Sequence, residues 1–178
     1  MQAPRSIAAG YGGGRDWLLV IVLMLAMIVS IIDRFALSLL VEPIKADLGL
    51  SDTDIGLLSG LAFGLFYALI GLPMGILADR WSSKGVIVFG ITVWSLATAG
   101  CGLAANFVQL MLARIGVGAG EAGLAPASYS IIARTFPPDR LSLAMSVFQM
   151  GAVLGSGLAI AIVGAVFSTL NALPVDCR

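Results

Sequence analysis

The sequence predicts an all-α integral membrane protein with five transmembrane helices. Of 178 residues, 59% are hydrophobic and only 11% are charged. The mean hydropathy is +1.02. The apolar residues gather into five runs, each near the length of about 20 residues that a helix needs to cross a hydrocarbon core of about 30 Å. A water-soluble domain covers its surface with about 25% charged residues, and this chain does not have them. The alternating pattern of barrel strands is absent, so the backbone groups that enter lipid bond within helices.

The elements follow in order. Residues 1–16 form an expected cytoplasmic tail with Arg5, Arg15 and a flexible glycine stretch from Gly10 to Gly14. The first span, 17–40, opens at Trp17 and is interrupted only by Asp33 and Arg34. It is too long for a signal-peptide core and no small-residue cleavage site follows, so it is read as retained. The second span, 55–77, has no charge, with Asp54 or Thr53 as its cap. The third is 86–103. The fourth, 107–132, contains Arg114 and Glu121 and is stopped by Pro137 and Pro138. The fifth is 141–167, followed by a short tail at 171–178. Residues 17–170 thus form one helical domain. Pro73 and Pro126 lie inside spans, where a proline kinks the helix and frees a carbonyl. In the fifth span Gly151, Gly155 and Gly157 make a small-residue seam, read as close helix packing.

Basic residues orient the spans. Arg5, Arg15, Arg80, Lys84, Arg134 and Arg140 fall at one end of the expected bundle and Lys45 and Arg178 at the other, six against two. Cytoplasmic loops carry the excess of Lys and Arg, which places the amino terminus in the cytoplasm of a multi-pass protein of the cell membrane (the inner membrane in a bacterium). The acidic cluster of Glu42, Asp47, Asp52 and Asp54 falls outside.

Several chemistries are excluded. The formal net charge is zero and the basic residues are scattered singly, so no nucleic-acid partner is expected. There is no histidine, and Cys101 and Cys177 are the two cysteines. That supports no disulfide framework, no metal site and no cofactor; Cys101 reads as a small buried residue. Gly118, Gly120 and Gly123 match the dinucleotide pattern GxGxxG. That pattern needs a preceding strand, and here it sits within a membrane-length run. No Walker lysine and no nucleophile–base pair is present, so neither ATP-driven transport nor enzyme activity is expected.

Four ionisable residues stand at membrane depth: Asp33, Arg34, Arg114 and Glu121. Each costs about 2.5 to 3.5 kcal/mol on insertion scales. Each sign occurs twice, so the four can neutralise one another. Arg114 and Glu121 are seven residues apart, about two turns, and share a helix face. Asp33 and Arg34 diverge by about 100°. One reading is that the charges only hold helices in register. The other is that they line a water-accessible cavity, where an arginine binds an anion and a carboxylate takes and releases a proton. Burial and a neighbouring arginine pull the proton affinity of such a carboxylate in opposite directions.

Between the second and third spans, Gly75, Asp79, Arg80 and Lys84 resemble the cytoplasmic signature of major facilitator transporters. Ser82 stands where that signature has glycine and Ser83 where it has a basic residue. Asp33 and Arg34, the stretch from Arg114 through Glu121 to Pro126, and the link from Phe136 to Arg140 resemble the Spinster branch of that superfamily. The resemblance covers nearly all of residues 17–167. It implies the amino-terminal six-helix half of the fold with its sixth helix missing, hence a fragment whose partner is the missing carboxy-terminal half. It further implies a proton-coupled secondary transporter of an amphiphilic or organic anion, such as a lysolipid or sphingolipid-like molecule. Asp33 and Glu121 would then be the proton-linked carboxylates, with Arg34 and Arg114 as their partners or the anion's. Gly75, Asp79, Arg80 and Lys84 would form a cytoplasmic gating motif. An organic-acid or acid-sugar symporter of a related branch is the alternative. A non-transporting membrane protein that docks onto another carrier is the rival from another class.

Overall fold

The computed structural model describes residues 13–172. Arg5, Cys177, Arg178 and the outer parts of both expected tails lie outside the described residues. Among the described residues, seven α-helices assemble into five antiparallel rods.

Helix α1, Gly14–Leu48, begins where Asp16 accepts a hydrogen bond from the Gly13 amide at 3.1 Å. It outruns the apolar stretch of the first span and ends at Gly49, whose φ of 63° is the left-handed geometry that a helix terminus asks of glycine. Lys45 then reaches Asp52 across the turn, a hydrogen bond that holds the lysine's proton more tightly than usual. The second rod is one continuous path: α2, Asp52–Gly56, a wide-turn segment Leu57–Ala62, α3, Phe63–Leu77, and a second wide-turn segment Ala78–Ser82. Its cap is Ser51, not Thr53 or Asp54. Ser51 Oγ accepts from the Asp54 amide at 3.2 Å, while the Asp54 carboxylate accepts from the Ser51 amide at 3.0 Å. Serine followed three residues on by an acid closes both orphan amides reciprocally.

Helix α4, Ser83–Gly102, follows without a loop, because Ser82 turns the chain and caps the helix by accepting from the Gly85 amide. The fourth rod is broken. Helix α5, Phe107–Glu121, is capped by Asn106, and α6, Leu124–Thr135, starts after a turn at Ala122 and Gly123. Pro126 therefore sits in the first turn of α6, where its missing amide has no intrahelical partner to lose. The expected proline kink is thus a break three residues before the proline. Helix α7, Pro138–Ala172, is the fifth rod.

Among the described residues, four stretches are uninterrupted, apolar and long enough to span a membrane: Gly14–Phe35, Asp52–Arg80, Ser83–Gly102 and Pro138–Ile162. The fourth rod falls short of that description because its break leaves helices of 15 and 12 residues. α1 packs on α7, α4 on α5 and α6, and α3 on α5. The core joins Val20, Leu23 and Met27 of α1 to Ile132 of α6 and Ala144 and Phe148 of α7.

Glycines set the closest approaches. Gly90 and Gly120 cross so tightly that a Cβ on Gly90 would stand 2.6 Å from the Gly120 carbonyl oxygen. In α7, a Cβ on Gly151 would stand 2.7 Å from the Met24 oxygen, and one on Gly155 3.0 Å from Ile31 Cβ. Gly157 corrects the expected seam: nothing lies within 4 Å of its Cβ position, because it stands two residues beyond Gly155 and points off that face.

Candidate functional site

The four membrane-depth charges converge where α1, α3, α4 and α5 meet. Glu121 closes α5, fully enclosed at 1% exposure, and its Oε2 accepts from Arg34 Nε at 2.7 Å. The Arg34 guanidinium also lies over two aromatic rings, 5.0 Å from the Phe63 centroid and 4.6 Å from that of Tyr67. Those rings stack at 5.7 Å, one turn apart on α3. They come within reach because Gly118 lets α3 press its backbone onto α5: a Cβ there would meet the Phe63 oxygen at 2.9 Å. Arg34 is thus held by a carboxylate on one side and by ring faces on the other, each attractive to a cation.

Asp33 turns the other way, as its offset of about 100° requires. It accepts from Thr98 Oγ1 of α4 at 3.2 Å and lines a cavity of about 380 Å³ with Cys101, Leu110 and Arg114. Cys101 is half-buried rather than enclosed. Arg114 is 7% exposed, and its Nε has no hydrogen-bond partner. It borders a second cavity of about 200 Å³ as well, shared with Arg34, Ser38, Ser59 and Phe63. Ser30 is likewise buried, with its hydroxyl against the Glu121 side chain.

The expected mutual neutralisation is therefore half realised. Arg34 and Glu121 pair across 87 residues of sequence. Among the described residues, no ion pair within 4 Å joins Arg114 to Asp33. Arg114 is thus a buried guanidinium that borders two cavities with its Nε donor unused, and arginine carries five N–H donors and no acceptor.

At the basic end of the bundle, Gly75 meets α6, where an added Cβ would stand 3.6 Å from Pro126 Cβ, an ordinary contact. Arg134 Nη2 donates to the Asp79 backbone oxygen at 2.8 Å and lies 3.9 Å from its carboxylate. Arg80 and Lys84 are exposed. Ser83 is buried, and its hydroxyl bonds the Ala78 oxygen at 2.9 Å and Ser130 Oγ at 3.2 Å. Serine thus stands, enclosed and hydrogen-bonded, where the signature has a basic residue. Sequence reasoning missed Phe63, Tyr67, Thr98 and Arg134. Only the i, i+4 spacing of the two aromatics gave a signal, and nothing local marks Thr98 or Arg134 as partners of residues 65 and 55 positions away.

A profile of the Major Facilitator Superfamily matches residues 23–172. The chain belongs to the major facilitator superfamily. It is 38% identical over 161 residues to an MFS-type efflux pump of Mycolicibacterium smegmatis, covering 88% of this chain and 38% of the pump. It is 33% identical over 145 residues to the hexuronate transporter of Bacillus subtilis, covering 82% and 34%. Its fold matches the crystal structure of a bacterial homologue of the human lysosomal transporter Spinster, inward-facing and unoccupied. The TM-score is 0.82 at 37% identity, over 86% of this chain and 32% of that one. The Spinster-like resemblance read from the residues is upheld, and these relatives are transporters rather than enzymes. The chain spans about a third of the length of these superfamily members.

Proposed function

We propose that this chain supplies the amino-terminal part of a proton-coupled secondary transporter for an amphiphilic or organic anion, such as a lysolipid or sphingolipid-like molecule. The observation that carries this reading is the pairing of half-buried Arg34 with enclosed Glu121 beside Arg114, whose guanidinium borders two cavities. An anion entering the smaller cavity meets Arg34 and Arg114 together. As Arg34 turns toward it, Glu121 loses its counter-charge inside a water-poor bundle and takes a proton. Release of the anion returns Arg34 to Glu121 and expels the proton. Asp33, solvated by its own cavity and by Thr98, is the second proton-linked carboxylate. The protein sits in the cell membrane with its amino terminus in the cytoplasm, Gly75, Asp79, Arg80 and Lys84 form the gating motif there, and a carboxy-terminal half completes the cavity. Domain bounds of 1–16, 17–170 and 171–178 belong to the same proposal.

A second reading, transport of an acid-sugar anion, draws on the likeness to the hexuronate transporter. Expressed from its complete gene in proteoliposomes, the protein is expected to take up labelled lysophosphatidylglycerol faster under an inward proton gradient. Gradient-driven uptake of glucuronate alone moves the assignment to the acid sugar. Transport of either that ignores the gradient overturns the proton coupling.

A further inference from the structure

We propose that the open groove between α1 and α4 at the basic end binds an anionic phospholipid, with the phosphate on Arg15 and Lys84. The groove holds about 420 Å³. Its α1 wall carries Arg15, then Leu18 and Leu19, then Val22 and Leu23; its α4 wall carries Lys84, then Ile87 and Val88; Ile131 of α6 joins the lining. Along each helix the cation comes first and apolar residues follow at i+3 and i+4, with α1 continuing at i+7 and i+8. The groove therefore runs from a charged mouth into hydrocarbon depth, about 10 Å over two turns.

Leu18, Val22 and Val88 are 60%, 55% and 56% exposed, so the lining is open to whatever lies alongside. No acidic residue lines the groove. Among the described residues, neither Arg15 nor Lys84 makes an ion pair. Arg15 and Lys84 are each the second residue of their helix. Both helices therefore direct the positive end of their dipoles toward the same mouth. A free phosphate would leave the apolar lining unused, and a neutral lipid would leave two cations unmatched. A phosphodiester headgroup with an acyl chain satisfies both, and basic clefts between spans at the positive end are a known setting for anionic lipid heads. The site is separate from the charged cavities, so it stands or falls independently of the transported anion.

The test is native mass spectrometry of the full chain released from phosphatidylcholine nanodiscs carrying a minor share of phosphatidylglycerol. Wild type is expected to retain phosphatidylglycerol over phosphatidylcholine. The double variant Arg15→Gln, Lys84→Gln should retain it about thirtyfold less, the effect of two basic groups near an anionic head. Val22→Trp, which fills the groove and leaves the cations, should also lose it. Retention unchanged in the double variant overturns the proposal. So does retention that needs the cations but ignores Val22→Trp, which means surface attraction without a groove. Crosslinking of a Val22→Cys variant of the complete gene product to another protein segment instead of lipid overturns it as well.

Discussion

Arg34 and Glu121 show how a charge survives at membrane depth. Glu121 is enclosed and has one good partner, whereas Arg34 has a carboxylate, two ring faces and partial access to a cavity. The two halves of the pair are therefore not equivalent. Arg34→Ala strands a buried carboxylate and should cost about 3 kcal/mol or more. Glu121→Gln keeps the shape and an acceptor for Arg34 and should cost clearly less. Thermal unfolding in detergent checks the order, and equal losses would argue against Arg34 as the better-supported partner. The identities of all four charges were legible in the sequence because ionisable residues stand out in apolar runs. Their pairing was not, since Arg34 could face Glu121 or Asp33 could face Arg114 with equal arithmetic. Rings at Phe63 and Tyr67, brought in by the bare face of Gly118, decide it.

At the scale of elements, glycine position rather than glycine content sets the packing. Gly118, Gly120 and Gly123 resemble a nucleotide loop in one dimension. In three dimensions they face three different neighbours: Phe63, Trp94 with Gly90, and Val86. Gly120→Ala would place a Cβ 2.6 Å from the Trp94 amide nitrogen, so α4 and α5 must part. The expected loss is about 1 to 3 kcal/mol. Gly157→Ala meets nothing and should be neutral or stabilising by up to about 1 kcal/mol, through helix propensity. Urea or thermal denaturation of both variants reads the contrast, and similar effects would contradict the packing. Helix spans were readable from apolar length. The break at Ala122 and Gly123 was not, because hydropathy continues through it while the capping geometry changes. The cap at Ser51 was missed for the opposite reason, since serine, threonine and two aspartates crowd the same turn.

For the whole molecule, antiparallel rods gather Arg15, Lys84 and Arg134 at one end and Lys45, Asp47 and Asn106 at the other. With the basic end inside, Ser82→Cys should react with an impermeant maleimide only in inside-out vesicles, and Asn106→Cys only in right-side-out ones; the reverse pattern would invert the topology. The composition foretold a membrane bundle and the signature residues foretold the superfamily, because both depend on residue type. How the cavities divide around Arg114 depends on helix rotation, which no single span encodes. The central claim is that an anion draws Arg34 from Glu121 and that Glu121 then takes a proton. Its most direct test is to add lysophosphatidylglycerol or glucuronate to the weakly buffered, detergent-solubilised product of the complete gene and follow a pH-sensitive dye. The account predicts proton uptake on binding by wild type and its loss in Glu121→Gln; uptake that persists undiminished in Glu121→Gln would contradict it.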